Sequence, residues 1–147
     1  MAAVPFGVYE IRHPVFGILY PIDVEPGAPA LVGSHPLPGS NARTWQTIDA
    51  NDDTLLIRTP YGMQPLYLAY PDDPQTGMRI TVIEIPTPWT LRPAPVEGQW
   101  RITVPANRTP GGKEALALGF KREMPNGIYL AAIDAKDETQ NWLFKSL

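Results

Sequence analysis

Three apolar segments at an even spacing, a tryptophan downstream of each, and no convincing helical period predict an all-β chain built as a β-trefoil, three pseudo-repeats of four strands. The segments are VYEIR at 8–12, TLLIR at 54–58 and QWRIT at 99–103; Ile11, Ile57 and Ile102 stand 46 and 45 residues apart. Each alternates apolar and polar side chains at least in part, as a half-buried strand does. The tryptophans are Trp45 in RTWQTID, Trp89 in PTPWTLRP and Trp142 in QNWLFKSL. They close units spanning about residues 7–50, 51–96 and 97–147 of one domain.

Between its first segment and its tryptophan, each unit carries two more apolar runs broken by Pro or Gly. They are 16–20 and 30–32 in the first unit, 66–70 and 80–85 in the second, and 115–120 and 128–133 in the third. The stretch GKEALAL at 112–118 has helix-forming residues, but its alternation and Gly119 favour a strand. Twelve strands result, six for a closed barrel and six for hairpins capping one end; closure removes exposed sheet edges. An irregular β-sandwich is the competing architecture, and it gives no reason for the three-fold spacing.

Composition sets the outer bounds. The chain has 147 residues, enough for one core, with 44% hydrophobic and 18% charged residues, a globular balance. Its 18 prolines and 12 glycines are spread along the chain, as turns between short strands require. The absence of cysteine excludes disulfides, thiolate metal sites and cysteine nucleophiles. Only two histidines, His13 and His35, are present, each before a proline, so neither a metal centre nor a catalytic triad is expected, and no cofactor. A net charge of -3 with scattered Lys and Arg argues against a nucleic-acid partner. No run reaches the length of a membrane span, and the N-terminal residues show no secretory pattern, so a cytoplasmic location is the expectation.

With strands and tryptophans placed, GVYEIRH at 7–13 resembles the opening shared by the cysteine-free β-trefoil proteins of mushrooms, the ricin-B-like lectins and the mycocypin protease inhibitors. GQWRITVP at 98–105 and TQNWLFKSL at 139–147 resemble the fungal lectins, while YPIDVEPGAP at 20–29 is similar to a mycocypin segment. The lectin pattern ends each unit in Gln-x-Trp and places a sugar-gripping Asp on the second strand. Here Gln140-Asn141-Trp142 keeps the tripeptide, whereas Arg43 and Thr87 stand at the other glutamine positions. The aspartate positions fall near Tyr20, Ala69 and Gly119, with Asp23, Asp72 and Asp73 a few residues further on. The resemblance implies a non-catalytic carbohydrate-binding protein of a fungal defence type, whose partners are glycans or glycoproteins. Its alternative is a protease inhibitor, with a storage or structural role third. A homodimer would add avidity.

Sugar recognition needs an acidic acceptor, an amide and an aromatic wall. The first unit offers Tyr20, Asp23, His35 and Asn41; the third offers Asn126, Tyr129, Gln140 and Asn141. Tyr61, Tyr67 and Tyr70 are further stacking candidates, while the three tryptophans are expected in the core. Turn chemistry accounts equally well for Asp23, Asn41 and Asn126. Protease inhibition instead needs a rigid extended loop, for which Arg108 between Pro105 and Pro110, Lys121 and Arg122 before Pro125, and Lys136 are the candidates. A solvated surface cation is the plainer role of each.

Overall fold

Alternation dictates the first strand: along β1 (Val8–His13), Tyr9, Ile11 and His13 are buried while the residues between them are half-buried. The computed structural model describes residues 4–21, 25–33, 44–59, 64–109, 111–121 and 124–146. The first unit continues with β2 (Gly17–Pro21), β3 (Ala28–Gly33) and β4 (Trp45–Asn51). The second holds β5 (Thr54–Arg58), β6 (Tyr67–Ala69), β7 (Thr81–Ile83) and β8 (Thr90–Pro93). The third holds β9 (Trp100–Thr103), β10 (Leu116–Lys121), β11 (Met124–Ala132) and β12 (Leu143–Ser146).

Pairing closes a six-strand barrel. β1 pairs with β12 and β4, β4 with β5, and β8 with β9. The bridges Leu55↔Trp89 and Trp100↔Trp142 join β5 to β8 and β9 to the entrance of β12. The other six strands form three hairpins, β2–β3, β6–β7 and β10–β11. These meet one another through β3–β7, β3–β11 and the Arg79↔Tyr129 bridge. Barrel plus triangular cap is the β-trefoil.

The core repeats the same layers three times. Ile11, Ile57 and Ile102 come from the first strands, Leu19, Leu68 and Leu118 from the second, and Val32, Val82 and Leu130 from the third, all essentially inaccessible. Each tryptophan lies fully buried and donates its indole N–H to the second-strand leucine of its own unit: Trp45 to the Leu19 carbonyl at 2.9 Å, Trp89 to Leu68 at 2.8 Å and Trp142 to Leu118 at 3.0 Å. A buried indole N–H without an acceptor would be costly, and here the hairpin supplies one each time.

Local differences from the sequence pattern have simple causes. Residues 112–118 form no helix: the chain turns and enters β10, whose Leu116 and Leu118 are both buried. The 80–85 run narrows to β7, because Ile85 is exposed and Pro86 follows it. Two 3₁₀ turns, Ala106–Arg108 and Glu138–Gln140, interrupt loops of the third unit. His13 is a packing residue: its Nδ1 accepts from the Val15 and Phe16 backbone N–H groups at 3.1 and 3.2 Å, so Nε2 carries the proton and donates to the Glu138 carbonyl at 2.9 Å.

Replacing Trp45, Trp89 or Trp142 singly by Phe should cost about 2 kcal/mol each, through a lost hydrogen bond and a small void. Equilibrium denaturation of the three variants checks this, and similar losses in all three units are the expected outcome.

Candidate functional site

Among the described residues, a groove of about 570 Å³ lies where the three units approach one another. One wall is the β4–β5 hairpin, with Asn51, Asp52 and Thr54; the other is the turn carrying Pro105, Ala106, Asn107 and Arg108. Pro86 and Pro88 close a third side, and Thr90, Arg92 and Glu114 form the floor.

The hairpin wall is strained. Asn51, Asp52 and Asp53 have φ of 70°, 53° and 65°, three successive non-glycine residues in the left-handed region. Asn and Asp tolerate that region better than other side chains, yet it still costs free energy. Two local bonds hold it: the Asn51 N–H donates to Asp49 Oδ1 at 2.9 Å, and the Thr54 hydroxyl donates to the Asn51 carbonyl at 2.6 Å.

The floor is a fixed ionic network. Arg92 donates to both Glu114 oxygens, Nε to Oε1 at 3.0 Å and Nη2 to Oε2 at 2.9 Å, and its Nη1 reaches Asp53 Oδ2 at 2.6 Å. The Thr90 and Thr103 hydroxyls, lying side by side, donate to Glu114 Oε1 at 2.8 and 2.9 Å. Burial pushes the Glu114 carboxyl upward, and the bonds from Arg92, Thr90 and Thr103 outweigh it, leaving the group below its ordinary value. The bonds to Glu114 and then to Asp53 outweigh the effect of burial and hold the Arg92 guanidinium above its ordinary value. Above this floor, the side chains of Asn51, Asp52 and Asn107 make no hydrogen bond within the described residues.

The residues singled out in the sequence scatter. Tyr20 and Tyr129 are half-buried on different cap hairpins, Tyr20 facing Leu31 across β2–β3 and Tyr129 facing Gly119 across β10–β11. The Tyr129 ring lies over Gly127, where a Cβ would come within 2.7 Å of it. Tyr70 is a correction: it is buried, its hydroxyl donates to the Pro88 carbonyl at 2.6 Å, and burial pushes its phenol up to about 12 against a small opposing pull from Arg108. Asp23, His35, Asn41, Tyr61 and Arg122 lie outside the described residues, as do the side chains of Asn126 and Lys121.

Gln140 and Asn141 are both buried and committed internally. Gln140 Oε1 accepts from Arg101 and from the Asp134 N–H, and its Nε2 donates to the Ala132 carbonyl at 2.7 Å and to Asp137. Asn141 Oδ1 accepts from Arg101 Nε at 3.2 Å. The tripeptide glutamine therefore anchors the loop before Trp142, and neither amide faces solvent. Gly119, near an aspartate position, is closely packed: a Cβ there would sit 3.3 Å from Gln140 Cγ, so that side chain would have to give by a few tenths of an ångström.

The inhibitory-loop geometry also differs from expectation. Arg108 lies in a 3₁₀ turn, not an extended segment, with its N–H bonded to the Pro105 carbonyl, and Thr109 staples the turn through Ala106 and Lys113. Lys136 lies in a tight turn closed by the Asp137 N–H on the Asp134 carbonyl at 3.0 Å. The groove residues Arg92 and Glu114 were not legible as a site, since they stand 22 residues apart and meet only across strands. The run Asn51-Asp52-Asp53 was the available signal, as consecutive residues tolerant of positive φ.

No family model and no curated protein sequence matches the chain. Solved structures do. The Rhizoctonia solani agglutinin is similar over 100% of this chain and 99% of its own, with 12% identity and a TM-score of 0.77. A Macrolepiota procera ricin B-like lectin in complex with lactose covers 100% of both chains at 14% identity and a TM-score of 0.72. ThreeFoil, a designed three-fold symmetric protein, covers 95% and 99% at 13% identity and a TM-score of 0.75. These likenesses establish the β-trefoil fold over the length of the chain.

Glu114 carries a pH signature. Its native-state value lies below the ordinary 4.5, so its contribution is present above that pH and is lost as the pH falls through the native-state value. Acid titration of stability should therefore show a drop below about pH 4.5 that is smaller in Glu114→Gln, which starts less stable at neutral pH.

Proposed function

We propose that this chain is a non-catalytic carbohydrate-binding protein whose glycan seat is the groove between the β4–β5 hairpin and the 105–108 turn. The observation that carries the reading is the strained Asn51-Asp52-Asp53 wall over a rigid ionic floor. Strain of this kind persists where function needs a shape that relaxation would destroy. Asn51 and Asn107 offer paired donors and acceptors and Asp52 an acceptor, the set that vicinal hydroxyls require, while the proline faces present C–H surface to a sugar ring. The likeness of the whole chain to two lectins favours the same reading.

The floor supports binding without hydrolysis. A glycosidic general acid needs a carboxyl raised toward neutrality, and Glu114 is held ionised by Arg92. It serves to fix the walls.

A glycan array probed with the wild type should retain at least one glycan, and Asn51→Ala and Asn107→Ala should each weaken that retention by about tenfold, the loss of one or two hydrogen bonds. Failure to retain any glycan, or retention indifferent to both changes, contradicts the proposal. Asp52→Gly should relax the hairpin and raise stability by up to about 1 kcal/mol while weakening the retained glycan, a trade-off readable by denaturation and by the same array.

A further inference from the structure

A second pocket, of about 410 Å³, opens between Pro93, Ala94 and Pro95 on one side and Ile133 and Ala135 on the other, with Arg101 at its base. The electrostatics of the two nearby arginines are inverted. Arg92, whose side chain is 38% exposed, is paired with two carboxylates. Arg101, only 4% exposed, has neutral acceptors alone: Asn141 Oδ1 at 3.2 Å, Gln140 Oε1 at 3.3 Å, the Asp137 carbonyl at 3.3 Å and the Ala135 carbonyl at 3.4 Å.

A buried guanidinium is costly unless an anion faces it, and charged residues this buried are ordinarily paired. Four long bonds to neutral oxygens orient the group without cancelling its charge. The neighbouring acids are already engaged. Glu114, which also lines the pocket, is held by Arg92, Thr90 and Thr103. Asp137 accepts from Thr139 and Gln140, and Asp134 Oδ1 accepts from the Lys136 N–H. Apart from Arg92 and Thr103, the remaining wall is aliphatic, Ile133 being 39% exposed.

We infer that this pocket is a binding site for a small monocarboxylate with a compact apolar body, its carboxylate meeting Arg101 and its body packing on Ile133, Pro93 and Pro95. The pocket shares Arg92 and Glu114 with the floor of the groove, but the proposed contacts, Arg101, Ile133, Pro93 and Pro95, lie outside the groove lining, and the inference does not depend on the carbohydrate reading. A neutral analogue of the same shape lacks the charge that Arg101 leaves unanswered, so the site discriminates by charge before shape.

Benzoate and benzamide are suitable probes, titrated by NMR against the Ile133 methyl and the Arg101 Nε–H resonances. Benzoate should bind at least about tenfold more tightly than benzamide, as a charge-assisted bond would give. Ala135→Trp, which fills the pocket mouth and leaves Arg101 and its four bonds in place, should abolish the response. Arg101→Met should remove the preference for benzoate if it folds. The inference is overturned if benzoate moves neither resonance in the wild type, if benzamide binds equally well, or if Ala135→Trp binds benzoate undiminished.

Discussion

The three indole-to-leucine hydrogen bonds are the constraint on which the rest of the structure depends. Each ties the close of a unit to its second strand, and so seats a cap hairpin on the barrel at the same depth three times. The tryptophan has to be fully buried for its size to fill the base of the barrel, and burial obliges its N–H to find a partner. The second-strand carbonyl answers that demand within the unit, so each unit sets its own geometry. What the units then do is decided by their loops.

Those loops are not equivalent, and the asymmetry is where chemistry gathers. Arg92 on β8 reaches back to Asp53 in the β4–β5 hairpin and forward to Glu114 ahead of β10, so one guanidinium fixes three segments drawn from two units. That network ties the left-handed hairpin to β8 and to the segment ahead of β10. The third unit instead uses Gln140, Asn141 and Arg101 to bind its final loop, and leaves the Arg101 charge facing a pocket.

The fold was legible because its signals are local and repeated: Ile11, Ile57 and Ile102 mark the first strands, and a tryptophan marks each fourth strand. The site was much less so. Gln140 and Asn141 have the residue types of sugar contacts, but type does not report burial, and here both amides point inward onto a neighbouring strand's arginine. Arg108 between prolines suggested an extended loop, yet the Thr109 hydroxyl bonds to Ala106 and Lys113 curl it into a turn. Arg92 and Glu114 were silent because their pairing is tertiary. The polar run at 51–53 carries no chemical motif, and its backbone angles are what distinguish it.

The central proposal is that a glycan seats in the inter-unit groove and not at the tripeptide of the third unit. Amide chemical-shift mapping with a glycan retained by the wild type tests it most directly. The account predicts perturbations concentrated at Asn51, Asp52, Thr54, Arg92, Asn107 and Arg108, with Gln140, Asn141 and Trp142 unchanged. Perturbations centred on Gln140 to Trp142, or on Tyr20 and Tyr129 of the cap hairpins, with a silent groove, would contradict it.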